Sequence, residues 1–323
     1  MSISRILQKE LLNWFHKHKR DLPWRKKKDP YSIWISEVML QQTTSKAVIP
    51  YYEKFLKKFP TLTHLAKADK KQVFLLWSGL GYYKRAENLI QAAKRIHKQK
   101  NFPQTYKELL KLPGFGPYTS RAVSSLAFEE SVGVLDGNVI RFLSRFHGLA
   151  LASWKSKERE QLQRLSSLWV QNQKASQMNQ ALMEIGALVC ISPKALCLLC
   201  PLRKNCQGFK KGIQDKLPLR KEKKETEFWL YHAEKYHYKN KWAFTKNTKM
   251  PFLKGQWIFP GKTKKLKNPL KDCKLIHNIM NYKIFIHVKN KKSLRNKNQF
   301  QWFSQADIQA LNPSSLIKKI IDF

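Results

Sequence analysis

The spacing of apolar residues over the first 190 positions predicts one helix after another. Ile6, Leu7, Leu11, Trp14 and Phe15 fall on a single stripe of a helix. Further helices are predicted over residues 31–41, 45–59, 70–77, 82–98, 117–128, 136–147, 156–170 and 175–190. Prolines separate many of these segments, and no run alternates in the way that a strand would. We therefore expect an all-α domain of about ten helices.

The pattern changes after residue 206. Residues 208–227 are charged and carry few large apolar side chains, which is typical of a linker. Short aromatic and β-branched runs then predict strands at 228–231, 242–245, 256–259 and 282–288, with a helix near 314–321. The predicted organisation is a mainly α domain over 1–207, a linker over 208–227 and a small α+β domain over 228–323.

The charge of the chain narrows the range of partners. Lys and Arg number 62 against 22 Asp and Glu, a formal net charge of +40. Such an excess favours a polyanion, because lysine or arginine on a phosphate releases condensed counterions. A lysine-rich composition without a binding role is the alternative. No segment approaches the roughly 18 apolar residues of a membrane helix and none reads as a signal peptide, so we expect a cytoplasmic protein without a membrane partner.

Four of the five cysteines form one string. Cys190, Cys197, Cys200 and Cys206 lie within 17 residues, with the spacing Cys-x6-Cys-x2-Cys-x5-Cys. Without a secretory context this clustering favours a metal or cluster site over disulfides. Four thiolates so close together can enclose one [4Fe–4S] cluster or one tetrahedral zinc. Zinc sites usually pair two Cys-x2-Cys knuckles, so a single knuckle favours iron–sulfur.

Residues 112–119 (LPGFGPYT) predict a tight turn that leads into a helix. Gly114 and Gly116 permit unusual backbone angles, and Pro117 suits the first turn of the helix. The free N–H groups of that helix would form a phosphate site. The pattern is typical of the helix–hairpin–helix of DNA repair proteins, although an ordinary connection between two helices is the alternative. Asp136 follows 18 residues after Tyr118 and, taken alone, reads as a helix N-cap.

The hairpin, Asp136 and the cysteine string, in that order, resemble the helix–hairpin–helix glycosylase superfamily that includes endonuclease III. The resemblance covers about residues 5–207. Residues 34–43 (WISEVMLQQT), 79–83 (GLGYY) and 179–184 (NQALME) are similar to segments of the MutY-type adenine DNA glycosylases. In the hairpin, Tyr118 stands where endonuclease III relatives carry a Schiff-base lysine. Residues 255–261 (GQWIFPG) resemble part of the Nudix-like C-terminal domain of the MutY type.

This resemblance implies a monomeric base-excision repair enzyme that removes adenine mispaired with 8-oxoguanine or guanine in duplex DNA. It implies that Glu37 is the general acid, and the apolar neighbours of Glu37 would raise its pKa. Asp136 would stay ionised and stabilise the cation that develops on the sugar, in the way that paired carboxylates divide their work in glycoside hydrolysis. Tyr118 and Asn138 would position groups around the sugar.

The remaining implied roles concern DNA, the base and the cofactor. Gln42 would fill the gap left by the flipped base, with Tyr82 nearby. Residues further implied to bind the base or the DNA are Arg20, Trp24, Thr43, Gly114, Gly116, Gln180 and Met183. A [4Fe–4S] cluster on the four cysteines would fasten a basic loop against the DNA backbone. The family reads the opposite base partly through a Phe-Ser-His segment, where this chain has Ile279-Met280-Asn281.

Three other functions fit parts of the sequence. An endonuclease III-like glycosylase and lyase for oxidised pyrimidines needs an amine nucleophile, and Tyr118 argues against it. A non-catalytic, cluster-containing DNA-binding protein would not need Glu37 and Asp136. A zinc-binding nucleic-acid protein would be colourless, whereas an iron–sulfur protein is yellow-brown.

Overall fold

A computed structural model of the chain describes residues 3–222, 225–291, 300–311 and 314–323. The chain divides into two compact units. The described residues of Met1–Ala68 and Lys84–Lys221 form the first unit, and those of Asp69–Tyr83 and Glu222–Phe323 form the second. The first is helical and the second contains a sheet, which confirms the prediction of a mainly α fold with a C-terminal sheet domain. None of the described helices is both long enough and apolar enough to cross a bilayer.

The helices of the first unit follow the predicted segments closely. In chain order they are α1 Arg5–His18, α2 Pro30–Met39, α3 Ser45–Lys58, α4 Leu62–Ala66, α6 Lys84–Gln99, α7 Tyr106–Leu109, α8 Pro117–Phe128, α9 Gly137–Phe146, α10 Ser156–Val170, α11 Ala175–Leu188 and α12 Gln207–Lys210. Helix α5, Lys70–Trp77, belongs to the second unit. The sequence did not predict α4, α7 and α12, because four or five residues are too few to show a periodic pattern.

Helix α2 is the most enclosed element of the first unit. It begins at an Asp29 N-cap whose carboxylate accepts the Ser32 N–H at 2.9 Å, with Pro30 in the first turn. Every residue from Tyr31 to Met39 is buried, and the helix packs against α8. The Trp34 ring stacks on the Phe115 ring of the hairpin, with 5.1 Å between centroids. A polar side chain on this helix is therefore held inside the core.

The segment that follows the last clustered cysteine packs against α9. Arg145 of α9 is buried and donates from Nε to the Leu217 carbonyl at 2.9 Å and from Nη1 to the Ile191 carbonyl at 2.7 Å. Gly208 lies so close to the Arg145 carbonyl that a Cβ would collide with it. These contacts place residues 207–217 against the helix that begins after Asp136.

The second unit is built on one mixed sheet with helices. Its described strands are β1 Glu227–Tyr238, β2 Lys241–Lys246, β3 Trp257–Ile258, β4 Gly261–Leu266, β5 Leu275–Ile279, β6 Tyr282–Lys291 and β7 Gln301–Phe303. Its described helices are α5, α13 Gln305–Leu311 and α14 Ser315–Asp322. The sequence predicted β1, β2, β3, β6 and α14 and missed β4, β5, β7 and α13.

Strand β1 is the centre of the sheet. It pairs in parallel with β6 and antiparallel with β4, and β5 pairs antiparallel with β6. At its far end β1 turns into β2, which pairs with β3 and β7. One sheet face and α14 enclose a core that includes Tyr231, Phe244, Phe259, Ile284 and Leu316. The β5–β6 turn presents Met280, 87% exposed, at its tip.

Candidate active site

One cleft in the first unit gathers most of the residues proposed from the sequence as site residues. It encloses about 1310 Å³. The predicted residues that line it are Arg20, Trp24, Glu37, Gln42, Thr43, Gly114, Gly116, Tyr118, Asp136, Asn138, Gln180 and Met183. Tyr82 does not line the cleft: its side chain is 60% exposed and its segment, Asp69–Tyr83, belongs to the second unit.

Glu37 is a buried carboxyl group on α2 that faces this cleft. Its pKa is raised to about 7, chiefly because burial removes the carboxylate from water, and the nearby charge of Asp136 adds to the rise. The Tyr118 hydroxyl donates to Glu37 Oε2 at 2.7 Å and opposes the rise, as does the charge of Arg25. Near neutral pH the Glu37 carboxyl can therefore hold a proton and release it.

Asp136 lies at the N-terminus of α9, half-buried in the same cleft. Its Oδ1 accepts the Val139 N–H at 2.7 Å and its Oδ2 accepts from Asn138 Nδ2 at 3.0 Å. Burial raises the pKa of Asp136, and both hydrogen bonds favour the ionised form and oppose that rise. The N-cap predicted from the sequence is confirmed, and the same carboxylate also faces the cleft.

Asn138 is held in place by α11. Its Oδ1 accepts from Arg141 Nη2 at 2.8 Å, and the same nitrogen donates to the Gly186 carbonyl at 2.7 Å. A Cβ on Gly186 would lie 2.7 Å from the Asn138 Cβ, so this close approach requires glycine. Arg141 Nε also donates to the Cys190 carbonyl at 2.6 Å. The start of α9 is thereby tied to the end of α11.

The hairpin has the unusual backbone that the sequence predicted at Gly114, whereas Gly116 has an ordinary φ of −76°. Gly114 has φ of 80°, and a Cβ there would lie 2.8 Å from the Asn88 Cβ, so no other residue fits without movement. Gly116 is the N-cap of α8 and Pro117 occupies its first turn. The first N–H groups of α8 have no partners within the helix, as at the start of any helix.

A second buried carboxylate, Glu184 on α11, was not predicted as a site residue. Arg20 Nε and Arg25 Nη2 form salt bridges to it at 2.8 and 2.7 Å. Burial alone would raise the pKa of Glu184, but the hydrogen bonds from the two arginines outweigh burial and lower the pKa to about 2. Arg25 was also missed, although it directly follows Trp24. Both residues line the cleft.

The other side chains proposed for the base pocket line the same cleft as this ion pair. Trp24 is buried, and its ring meets the Tyr52 ring edge-on with 5.4 Å between centroids. Gln180 Nε2 donates to the Ser176 carbonyl at 3.0 Å. Met183 Sδ lies 3.5 Å from the Tyr118 hydroxyl. The wall of the cleft beside Glu37 is therefore both aromatic and polar.

All four clustered cysteines line one small cavity beside α9. Its other lining residues include Phe142, Arg145, Phe146, Val189 and Phe209. Within the described residues, no three His, Cys, Asp or Glu side chains are arranged to hold a metal ion. Each of the four thiols is free and partly buried.

The fold is that of the helix–hairpin–helix glycosylases. Residues 35–171 match the family model of the HhH-GPD superfamily of base excision DNA repair proteins. A solved thermostable thymine-DNA glycosylase is 30% identical, with a TM-score of 0.58, over 64% of this chain and 96% of that one. An endonuclease III–DNA complex shares the fold at 21% identity, with a TM-score of 0.54, over 65% of this chain and 96% of that one.

The particular family follows from the sequence comparison. The chain is 36% identical to the adenine DNA glycosylase of Buchnera aphidicola subsp. Schizaphis graminum (strain Sg) over 97% of its own length and 89% of the relative. It belongs to the adenine DNA glycosylase family. It is thus a DNA glycosylase, a hydrolase of N-glycosyl bonds that acts in base excision repair.

Proposed function

We propose that this enzyme removes adenine mispaired with 8-oxoguanine or guanine from duplex DNA. The observation that carries the proposal is the buried Glu37, with a pKa of about 7, bonded to Tyr118 in the cleft that also holds Asp136. Such a pair supplies an acid for the base and an anion for the sugar. The relative covered over 89% of its length is itself named for adenine.

The reaction begins with the target adenine outside the helix, because its glycosidic bond is unreachable within the duplex. Glu37 then protonates the adenine ring, and the bonding electrons leave with the neutral base. A carboxyl whose pKa is about 7 is well matched to this step at physiological pH. The ionised Asp136 stabilises the positive charge that develops on the sugar, and water completes the hydrolysis.

Tyr118 and Asn138 position the two carboxyl groups. Tyr118 donates to Glu37 Oε2 and keeps that carboxyl fixed in one orientation. Asn138 donates to Asp136 and is itself held by Arg141. Because Tyr118 offers no amine, the enzyme is monofunctional and does not form the Schiff base that a lyase requires.

Adenine is held by the wall that carries Arg20, Trp24, Gln180 and Met183. Glu184, ionised by its two arginines, fixes the guanidinium of Arg25 beside Glu37. Gln42 fills the gap left by the flipped base, and Thr43 and Tyr82 contact the DNA. Gly114 and Gly116 bring the N–H groups of the hairpin to a DNA phosphate.

We infer further that Cys190, Cys197, Cys200 and Cys206 hold a [4Fe–4S] cluster. The four thiols line one cavity. Their spacing along the chain, Cys-x6-Cys-x2-Cys-x5-Cys, supports a cluster, because zinc sites usually pair two Cys-x2-Cys knuckles. The bound cluster would act as a structural brace for the loop, and Lys194, Arg203 and Lys204 of that loop would meet the DNA backbone.

The second unit is a Nudix-like domain that adds contacts to the base opposite adenine. The sequence alignment assigns Ile279-Met280-Asn281 to the family's reading segment, and these residues form the β5–β6 turn, where Met280 is exposed. The enzyme works as a monomer in the cytoplasm, on the nucleoid if the source is bacterial.

A panel of duplexes tests the proposed function. Adenine is placed opposite 8-oxoguanine, opposite guanine and opposite thymine, and a fourth duplex carries thymine glycol. We expect adenine release from the first two, with strand breakage only after alkali. Release of thymine glycol with concurrent nicking would instead establish the endonuclease III-like activity, and binding without any base release would establish the non-catalytic alternative.

The cluster is tested on the purified protein. Iron and acid-labile sulfide should each approach about four per chain, as a [4Fe–4S] centre requires, with a broad brown absorbance. Stoichiometric zinc without iron would replace the cluster by a zinc site.

A further inference from the structure

The turn that carries Gln42 has an uncommon backbone. Gln42 follows the end of α2 and has φ of 61°, in the left-handed region that residues other than glycine rarely adopt. Its side chain is exposed and borders the cleft. Such a conformation persists only where the surrounding structure holds it.

One arginine side chain holds this turn to the end of α2. Arg85, near the start of α6, directs its Nη1 nitrogen at three backbone carbonyls. Nη1 lies 2.7 Å from the Val38 oxygen, 3.2 Å from the Met39 oxygen and 2.7 Å from the Gln41 oxygen. The first two belong to the last turn of the helix that bears Glu37, and the third belongs to the turn of Gln42.

The turn is also fixed on its other side. The Thr43 N–H donates to the Leu40 carbonyl at 3.2 Å, and Gln41 Nε2 donates to Thr119 Oγ1 on α8 at 3.1 Å. The backbone on both sides of Gln42 is therefore anchored, while the Gln42 side chain extends outward. A side chain presented in this way loses little further freedom when it enters a duplex.

We propose that Arg85 is a positioning residue for base flipping, an inference that rests on the proposed function. It ties the Gln42 turn to the helix of the acid Glu37, so that the side chain filling the gap and the group protonating the base keep one fixed separation. Arg85 touches neither adenine nor the sugar in this scheme. Its loss should slow the opening of the duplex more than it slows the chemical step.

This role differs from that of an ordinary helix cap. A cation at the C-terminal end of a helix is favourable, and the last carbonyls of α2 need partners in any protein. Those two needs would be met by bonds to Val38 and Met39 alone. The bond to Gln41 reaches beyond the helix, and it is the one that restrains the left-handed turn.

Three variants separate these roles. Arg85→Met keeps the aliphatic stem and removes every donor, whereas Arg85→Lys restores one cationic donor. Arg95→Met is the matched control, because Arg95 is an exposed arginine on the same helix and does not line the cleft. Thermal unfolding of all three establishes that they are folded before any rate is compared.

The first measurement compares two duplexes in single turnovers. With adenine opposite guanine, Arg85→Met should release adenine about ten- to a hundred-fold more slowly than the wild type, a range typical of misplaced groups. With adenine opposite an abasic site, where opening costs less, the deficit should shrink to about three-fold or less. Arg85→Lys should recover part of the loss, and Arg95→Met should match the wild type. Equal deficits on both duplexes would overturn the proposal.

The second measurement does not depend on adenine release. In a Glu37→Gln background, 2-aminopurine at the target position reports unstacking by its fluorescence. Adding Arg85→Met should reduce the fluorescence rise on binding by at least about half, with little change in affinity. An undiminished rise would also overturn the proposal. If the wild type releases no adenine at all, the proposed function fails, and this readout still decides whether Arg85 assists unstacking.

Discussion

Two carboxyl groups of one cleft differ in how they are solvated and bonded. Glu37 is almost wholly removed from water and accepts one hydroxyl donor, Tyr118. Asp136 is only half-buried and accepts both a backbone N–H and the Asn138 amide. Burial raises the pKa of both groups, but the two hydrogen bonds to Asp136 favour its anion and oppose that rise, whereas burial dominates at Glu37 and favours the acid. The roles proposed for the two groups follow from this difference.

Replacing Glu37 by glutamine tests the acid. Glu37→Gln keeps the shape and the contact with Tyr118 but cannot deliver a proton to adenine. We expect single-turnover adenine release to fall by at least about 10²- to 10⁴-fold, while the affinity for the duplex stays within about three-fold. Glu10→Gln, an exposed change of the same charge on α1, is the control and should be silent. A near-normal rate in Glu37→Gln would remove Glu37 from the mechanism.

The pH dependence of adenine release follows from the same group. An acid must be protonated to act, so the rate should fall as the pH rises through about 7, the pKa of Glu37. Because the hydrogen bond from Tyr118 lowers that pKa, Tyr118→Phe should move the alkaline limb to higher pH. Single-turnover rates of the wild type and of Tyr118→Phe, measured from about pH 5 to 9, locate the alkaline limb of each protein. A limb that moves to lower pH in Tyr118→Phe would show that the titrating group is not Glu37.

The residues of the site were not equally visible in the sequence. Glu37 and Asp136 lie in segments whose order along the chain is specific. Arg25 carried no such sign, and Glu184 was given no role although it ends the family-like segment 179–184, because a glutamate in a helical pattern usually faces water. Its ion pair with Arg25 joins positions 159 residues apart, and only the packing of α11 reveals it.

At the scale of the element, the hairpin depends on one glycine far more than on its neighbour. Gly114→Ala would place a Cβ 2.8 Å from the Asn88 Cβ in a left-handed backbone, whereas a Cβ on Gly116 would meet nothing within 4 Å. We expect Gly114→Ala to lower the free energy of unfolding by about 1–3 kcal/mol and Gly116→Ala to leave it nearly unchanged. Denaturant unfolding of both variants measures this. Equal stabilities would mean that Asn88 moves aside without cost.

The four clustered cysteines lead to a prediction about the loop that carries them. If one cluster joins the loop to the end of α11, Cys197→Ser should cost folded, soluble protein and most of the iron. Cys273→Ser is the matched control, since Cys273 lies in the second unit and only approaches the backbone carbonyls of Leu275 and Ile286. It should retain full iron. Loss of iron from both variants alike, or from neither, would contradict a cluster held by the string.

The helices were more predictable than the strands. Ten or more residues with a regular apolar stripe define α1, α6 and α9 without reference to the rest of the chain. Strand β4 carries three lysines in six residues, most of them exposed, and has no apolar run. It is a strand because β1 lies beside it and supplies its hydrogen-bond partners. Such a strand forms because of its pairing partner, and the sequence of the strand itself does not indicate which segment that partner is.

At the scale of the whole molecule, membership of a unit is likewise a long-range property. Residues 69–83 look like one more helical segment in the sequence, and α5 forms where the periodicity predicts it. Yet the segment packs with the second unit, where α5 contacts α13 some 230 positions later. The residues of α5 contain no sign of that partner. Tyr82 consequently belongs to the second unit, whereas the residues that line the cleft belong to the first.

The last prediction concerns the second unit and the rates at which adenine is released opposite 8-oxoguanine and opposite guanine. Met280 stands at the tip of the β5–β6 turn with φ of 54° and an almost fully exposed side chain. A thioether offers little hydrogen bonding at the position that the proposed alignment gives to a serine of the family, while the neighbouring Asn281 can still donate. We therefore expect the wild type to release adenine opposite 8-oxoguanine and opposite guanine at rates that differ from each other less than they would with a serine at position 280.

Point variants in the full chain test this without removing a domain. Met280→Ser should raise the ratio of single-turnover rates opposite 8-oxoguanine and guanine by about ten-fold, because one placed hydrogen bond contributes roughly 1–3 kcal/mol of base discrimination. Met280→Ala removes the same bulk without adding a hydroxyl and should leave the ratio unchanged. Asn240→Ser, in the β1–β2 turn with a similar backbone, controls for a serine at an exposed turn. If alanine and serine at position 280 raise the ratio equally, the bulk of Met280 and not its missing hydroxyl limits the discrimination. If neither changes it, the turn does not reach the opposite base.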